Sequence, residues 1–128
     1  MRSILLYTCL VVLIASLMSC QKKEGEMLFG EIYPANYITK IEIKEKNGKR
    51  KEITRLEDIN KWIERAEKIK FIRDQNQEER ELLLTYEGCL VKAYRNEKEV
   101  GDFILLKLNG VYYKRNVKFD KQVESLCE

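Results

Sequence analysis

The sequence predicts an α+β fold in which an antiparallel sheet, built from a hairpin and a C-terminal meander, carries one amphipathic helix packed on one face. Three features support this prediction. Polar and apolar residues alternate around residues 38–53, apolar residues recur with helical spacing over residues 55–67, and short runs of branched and aromatic residues fill the last third. The order hairpin, helix, meander is typical of the α+β class.

The hairpin is predicted from a period-two pattern and a tight turn. Residues 38–46 alternate apolar and charged side chains, which indicates a strand with one face in water. Asn47 and Gly48 tolerate the positive φ angles of a two-residue turn, so residues 49–53 should pair back as the second strand. Upstream, Pro34 lacks a backbone donor and predicts a turn or an edge segment.

Residues 55–67 are predicted to form the amphipathic helix. Thr54 and Glu57 have the spacing of a capping box, which would satisfy backbone donors of the first helical turn. Trp62 lies on the apolar side and is expected to be a core residue rather than a platform for a ligand. The apolar stripe that should face the sheet consists of Leu56, Ile59, Trp62, Ile63 and Ala66.

The C-terminal meander is predicted from four apolar runs joined by short polar connections, which force antiparallel neighbours. Residues 103–106 are apolar at every position, as expected for a central strand covered on both faces. A short strand at residues 68–73 and a terminal helix at residues 120–128 complete the expected elements. The four runs are residues 82–86, 89–95, 100–108 and 111–115.

The first twenty residues predict an export signal. Arg2 and the amino terminus provide a positive start, and residues 4–18 form an uncharged, largely apolar run. That run has 15 residues, whereas a helix that spans a bilayer needs about 20. A secretory signal therefore explains the segment better than a permanent transmembrane helix does.

The end of this signal, Leu17-Met18-Ser19-Cys20, resembles the lipobox of bacterial lipoproteins. The resemblance implies cleavage between Ser19 and Cys20 and a diacylglycerol thioether on Cys20, although Met18 stands where a small or β-branched residue is usual. With the hairpin and helix that follow, the chain is similar to small bacterial lipoproteins of the YhfM-like type. That similarity implies a lipid-anchored domain on the extracytoplasmic side of a bacterial membrane, and no particular activity.

The chain therefore divides into a signal, a tether and one domain, because about 110 residues are the usual size of a single domain. The tether is polar and without periodicity, which suits a short spacer between lipid and domain. The expected segments are residues 1–19 for the signal peptide, residues 20–27 for the lipidated tether and residues 28–128 for the α+β domain.

Two of the four cysteines remain for the folded domain. Cys9 lies in the signal and Cys20 would carry the lipid, which leaves Cys89 and Cys127. In an exported chain, an even number of remaining cysteines predicts a disulfide. Two buried free thiols are the alternative, and the predicted role is structural in either case.

Composition excludes several classes of chemistry. The chain has 24 Lys and Arg against 21 Asp and Glu, interleaved along the sequence, which argues against a nucleic-acid surface. It has no histidine, which removes Ser-His and Cys-His nucleophiles and the usual zinc sites. No phosphate-binding glycine motif occurs, and no cofactor is expected. Asp102 is the one acid whose burial would be informative, and we expect it at a strand end facing water.

The polar loop at residues 74–80 matches only the start of a calcium-binding loop. Asp74, Asn76 and Glu78 occupy the first three ligand positions of an EF-hand. Glu79 stands where the invariant glycine is required, and Thr85 stands where the bidentate glutamate is required. We therefore expect no metal here and interpret the segment as a solvated loop of mixed charge.

After these exclusions, the function that remains is the binding of another molecule at the protein surface. Leu90, Lys92 and Tyr94 alternate along one predicted strand and should project together from a sheet face that the helix leaves uncovered. Such an aromatic and cationic patch could bind a protein, a peptide or a glycan. The alternative is that the meander tyrosines stabilise the sheet by cross-strand aromatic pairing; these are Tyr86, Tyr94, Tyr112 and Tyr113.

Three functional hypotheses follow. The first is a non-enzymatic lipoprotein, held at the membrane by the lipid on Cys20, whose domain binds a protein or another partner in the cell envelope. The second is an inhibitor or immunity-type protein that acts on an exported enzyme. The third is a hydrolase that uses paired carboxylates, which requires a cleft with two adjacent acids.

Overall fold

A computed structural model describes residues 25–82 and 88–128 of the chain. Within these residues the strands and helices follow one another in the order β1, α1, β2, β3, α2, β4, β5, β6, β7, β8, α3. The strands are β1 (Glu26–Leu28), β2 (Lys40–Lys44), β3 (Arg50–Ile53), β4 (Lys70–Ile72), β5 (Leu90–Arg95), β6 (Lys98–Asp102), β7 (Lys107–Leu108) and β8 (Val111–Tyr112). The helices are α1 (Phe29–Ile32), α2 (Leu56–Ala66) and α3 (Val117–Leu126).

The strands form two antiparallel sheets, which confirms the predicted α+β class. The larger sheet has the order β3-β2-β5-β6-β7-β8, and the smaller one pairs β1 with β4. An antiparallel bridge between Arg73 and Tyr113 joins the two sheets. The backbone N–H of Lys114 donates to the carbonyl of Ile72 at 2.8 Å beside it. Helix α2 packs against β2 of the larger sheet and also contacts the other two helices.

The hairpin formed by β2 and β3 lies where the sequence predicted it. The two strands pair antiparallel, and Gly48 adopts a φ of 84° in the turn between them. Ile41 and Ile43 are fully buried on the face toward the helices. The turn predicted around Pro34 is also present, since the N–H of Tyr37 donates to the Pro34 carbonyl at 3.1 Å.

Helix α2 is the predicted amphipathic helix, but its predicted capping box is wrong. Ile59, Trp62, Ile63 and Ala66 are buried as expected. The cap position is taken by Arg55, and no side chain accepts a hydrogen bond there. Thr54 therefore lies one residue too early to bond the first helical turn. The first residue of the stripe, Leu56, is 49% exposed and does not belong to the core.

The predicted strand over residues 100–108 is interrupted by a turn. Strand β6 ends at Asp102, and residues 103–106 form a turn in which Leu106 has a φ of 57°. Asp102 accepts hydrogen bonds from the backbone N–H groups of Ile104 at 3.1 Å and Leu105 at 3.0 Å. Because this carboxylate closes the turn, it is only 8% exposed, and the expectation that it faces water was wrong.

Strand β4 confirms the predicted strand at residues 68–73, and its partner is β1. Met27 lies opposite Phe71, so β1 includes residues from the end of the predicted tether. Helix α3 begins at Val117, three residues before the predicted start, because the Asn116 side chain accepts hydrogen bonds from two backbone N–H groups of the first turn. Residues 83–86 of the strand predicted at residues 82–86 lie outside the described residues.

The centre of the core is a cluster of aromatic rings that lie on or beside the three helices, on β4 and in the turn after β6. Phe29, on the unpredicted helix α1, is fully buried at its centre. Trp62 stacks on Phe103 with ring centroids 5.4 Å apart, and its indole N–H donates to the Gln122 carbonyl at 2.8 Å. The prediction that Trp62 is a core residue is confirmed. The other rings within 6.5 Å of Phe29 or Phe103 are Tyr33, Phe71 and Phe119.

Candidate recognition surface

The face of the larger sheet opposite the helices carries the three residues predicted to act in recognition. Along β5, Val91 and Ala93 are fully buried, whereas Leu90, Lys92 and Tyr94 are half-buried and point to the other side. The structure therefore brings these three side chains onto one face. Whether this face binds a partner remains a prediction.

Tyr94 is flanked by charges from both neighbouring strands. Lys40 of β2 lies directly opposite, and its Nζ is 4.6 Å from the centroid of the Tyr94 ring. Burial is the main cause of a raised pKa for Tyr94, and the nearby carboxylates of Glu42 and Glu99 raise it further. The hydroxyl therefore stays protonated at neutral pH and is a hydrogen-bond donor at the surface.

Lys92 occupies the middle of the face and is paired. Its Nζ lies 3.0 Å from the carboxylate of Glu99, and the hydrogen bond between them is the main cause of a raised pKa for Lys92. A register shift between Ala93 and Tyr94 places Glu99 opposite Tyr94. The face thus alternates cations and carboxylates around one aromatic ring, an arrangement suited to polar recognition.

Among the described tyrosines of the meander, Tyr94 is the one that is accessible on this face. Tyr112 and Tyr113 are buried, and Tyr113 packs its ring 5.8 Å from Phe71. Tyr112 lies opposite Lys107 in the sheet rather than opposite another tyrosine. No two of the described meander tyrosines face each other, whereas Tyr113 makes an aromatic contact with Phe71 of β4, and Tyr86 lies outside the described residues.

The polar loop at residues 74–80 is folded onto strand β8, which the sequence did not indicate. The Gln77 side chain accepts a hydrogen bond from the Tyr112 N–H at 2.9 Å and donates to the Tyr112 carbonyl at 2.8 Å, in place of a neighbouring strand. The Arg80 guanidinium lies 4.6 Å from the Tyr112 ring centroid and pairs with Asp74. The hydrogen bond from the Asn76 N–H is the main cause of a lowered pKa for Asp74.

Cys89 and Cys127 form a disulfide in the structure, with their sulfur atoms 2.07 Å apart. The bond ties the residue before β5 to the end of α3. A groove of about 430 Å³ lies beside it, between the disulfide, the turn after β6 and α3. Arg115 and Asp120 line this groove and form an ion pair at 3.9 Å.

A second groove of about 440 Å³ lies along β6, beside the turn between β7 and β8. Asp102 and Asn109 line it, but both side chains already bond the backbone, to Ile104 and Ile32 among others. Across residues 25–82 and 88–128, no three His, Cys, Asp or Glu side chains are grouped closely enough to hold a metal ion.

No known protein family, curated protein or solved structure matches the chain. In the part of the chain that the structure describes, no helix is both long enough and apolar enough to cross a bilayer. Cys20 and the rest of the lipobox lie outside that part.

Proposed function

We propose that this protein is a lipid-anchored bacterial lipoprotein whose folded domain, on the extracytoplasmic side of the membrane, binds a protein or another cell-envelope partner without catalysing a reaction. The observation that carries the proposal is the sequence Leu17-Met18-Ser19-Cys20 at the end of an apolar signal. Two or three acyl chains on one residue hold a small domain firmly, because each buried methylene contributes about 0.8 kcal/mol.

The uncovered sheet face supports the recognition part of the proposal. Tyr94 offers a ring and a hydroxyl, and Lys40 and Lys92 hold cations on either side of it. Tyrosine loses little conformational freedom when a partner binds, because its side chain has only two χ angles. The face opposite the helices is therefore the part of the described surface where we expect a partner.

The anchor is tested by mass spectrometry of the exported protein. We expect an N-terminal peptide that begins at Cys20 and carries a diacylglyceryl group, and Cys20→Ala should abolish both the acyl mass and the cleavage. Cys9→Ala is the matched control, because this cysteine lies in the signal and should leave the mature product unchanged. An unmodified Cys20 in the membrane fraction would contradict the proposal.

The recognition face is tested by photo-cross-linking on intact cells. A photoreactive residue in place of Lys92 should give a discrete product, whereas the same residue in place of Glu64, on the exposed side of α2, should not. Tyr94→Ala should remove the product from the Lys92 position. Equal products from both positions, or none from Lys92, would argue against this face.

A further inference from the structure

The tip of the β2–β3 hairpin carries a cluster of positively charged side chains. Residues 44–51 contain five Lys and Arg and one Glu, and every residue except Glu45 is exposed. Elsewhere the described residues hold 16 Lys and Arg against 18 Asp and Glu. The net positive charge of the described residues therefore comes from the tip of this hairpin, and the other described residues are slightly acidic as a set. The five cations are Lys44, Lys46, Lys49, Arg50 and Lys51.

These cations are exposed, and one of them, Lys46, lines the groove beside the disulfide together with Asp120 and Glu124. Within residues 25–82 and 88–128, the ion pairs involve other side chains, such as Lys40 with Glu52 and Lys92 with Glu99. The turn that presents them is well formed, since the N–H of Glu45 donates to the Lys49 carbonyl at 2.8 Å and the N–H of Lys49 donates to the Asn47 side chain at 3.0 Å. The five cations of the hairpin tip therefore belong to no ion pair of the described residues, and Glu45 is the one acid among them.

We infer that this hairpin contacts the anionic phospholipid headgroups of the bilayer that holds the lipid anchor. The inference rests on the proposed anchor at Cys20. From Cys20 to Gly25, where the described chain begins, five residues span at most roughly 17 Å, which is about the radius of a domain of about 100 residues. The tether thus keeps the domain beside the headgroups at a high effective concentration.

The composition of the tip favours a lipid surface over an acidic protein. Protein interfaces are built around buried aromatic or apolar anchors, and residues 44–51 contain no apolar side chain. A cluster of exposed cations without such an anchor binds a charged surface by electrostatic attraction alone. The contact would orient the domain on the membrane and leave the opposite parts of the sheet to face outward.

The experiment uses the mature, lipidated protein in nanodiscs that carry a spin-labelled headgroup, and measures paramagnetic relaxation of backbone amides. Mass spectrometry first verifies the acyl group, so that failure of the anchor and failure of the hairpin contact are distinguished. In discs with phosphatidylglycerol, amides of residues 44–51 should relax strongly. In phosphatidylcholine discs, or at about 1 M NaCl where the screening length is about 3 Å, the effect should disappear.

Two charge-matched variants complete the test. Replacing Lys44, Lys46 and Lys49 with Gln should lower the contact equilibrium constant roughly fivefold per lysine. Replacing three exposed lysines elsewhere, Lys114, Lys118 and Lys121, with Gln changes the net charge equally and should leave the hairpin effect intact.

Three results would overturn the inference. The hairpin amides could relax equally on both lipids, or not at all, or the two triple variants could lose the effect equally. If soluble polyglutamate shifts the hairpin resonances while phosphatidylglycerol does not, the partner is an acidic protein and the lipid contact is wrong.

Discussion

The hydroxyl of Tyr33 donates a hydrogen bond to the backbone carbonyl of Val100 at 2.5 Å. The same oxygen accepts a hydrogen bond from the N–H of Asn109 at 3.1 Å, and the Asn109 side chain donates to the carbonyl of Ile32 at 2.7 Å. One side chain thus joins the end of α1 to the strand β6 and to the turn before β8. Tyr33 is fully buried, so these bonds have no water to replace them.

Tyr33→Phe should lower the free energy of unfolding by about 0.5–1.5 kcal/mol, because it removes the hydrogen bonds of the buried hydroxyl, whereas the Asn109 N–H still donates to the Val100 carbonyl at 2.9 Å. Urea unfolding measures the change. Tyr37→Phe is the matched control, since within the described residues the hydrogen bonds of Tyr37 involve its backbone N–H and carbonyl, and it should change stability little. Equal losses in the two variants would contradict the assigned bonds.

Alkaline unfolding provides a second test of Tyr33. Burial raises the pKa of this phenol well above its ordinary value of 10.0. The stabilisation from a raised pKa is complete below the unfolded-state value and is lost as the pH rises through and beyond it. Above pH 10 the wild type should therefore lose stability more steeply than Tyr33→Phe, by up to about 1.4 kcal/mol per pH unit. Parallel curves would refute a buried, protonated Tyr33.

Gly101→Ala should be strongly destabilising, because its new Cβ would lie 2.5 Å from the Tyr33 hydroxyl oxygen and 3.1 Å from the Phe103 ring. Overpacking of this kind costs about 1–3 kcal/mol. In a Tyr33→Phe background the hydroxyl oxygen is absent, so Gly101→Ala should lower the free energy of unfolding by a smaller amount. A double-mutant cycle measured by urea unfolding checks this coupling, and strict additivity would contradict it.

Replacing Cys89 and Cys127 with Ser should lower the free energy of unfolding by roughly 4 kcal/mol, since the bond closes a loop of 38 residues. The larger effect should fall on α3, whose Phe119, Val123 and Leu126 are buried in the core. Hydrogen exchange of the α3 amides reports the loosening. If thiol labelling of the exported protein finds both cysteines free, the disulfide is not formed in the cell.

Asn116→Ala should lower the free energy of unfolding by about 1–2 kcal/mol. The Asn116 side chain caps the first turn of α3 and also donates to the Lys70 carbonyl at 2.8 Å. Thr54→Ala is a matched comparison at the start of α2, where no side chain caps the helix. Its effect should stay within about 0.5 kcal/mol. A similar cost at both positions, measured by thermal unfolding, would mean that Thr54 does cap α2.

The sequence predicted part of the recognition surface. Alternation along β5 placed Leu90, Lys92 and Tyr94 on one face. The sequence contained no signal that Lys40 lies over the Tyr94 ring or that Glu99 pairs with Lys92. Both contacts depend on which strands become neighbours and on a register shift in β5 and β6, and neither is encoded in local spacing.

By itself the sequence determined the elements whose cause lies within a few residues. The β2–β3 hairpin follows from alternation and a turn pair, and the core side of α2 follows from helical spacing. Only the tertiary structure decided the rest. Residues 103–106 form a turn because Asp102 bonds their backbone, and the loop after β4 is folded because Gln77 pairs with Tyr112. Such contacts join residues distant in the chain or compete with local propensity, so hydrophobic periodicity does not encode them.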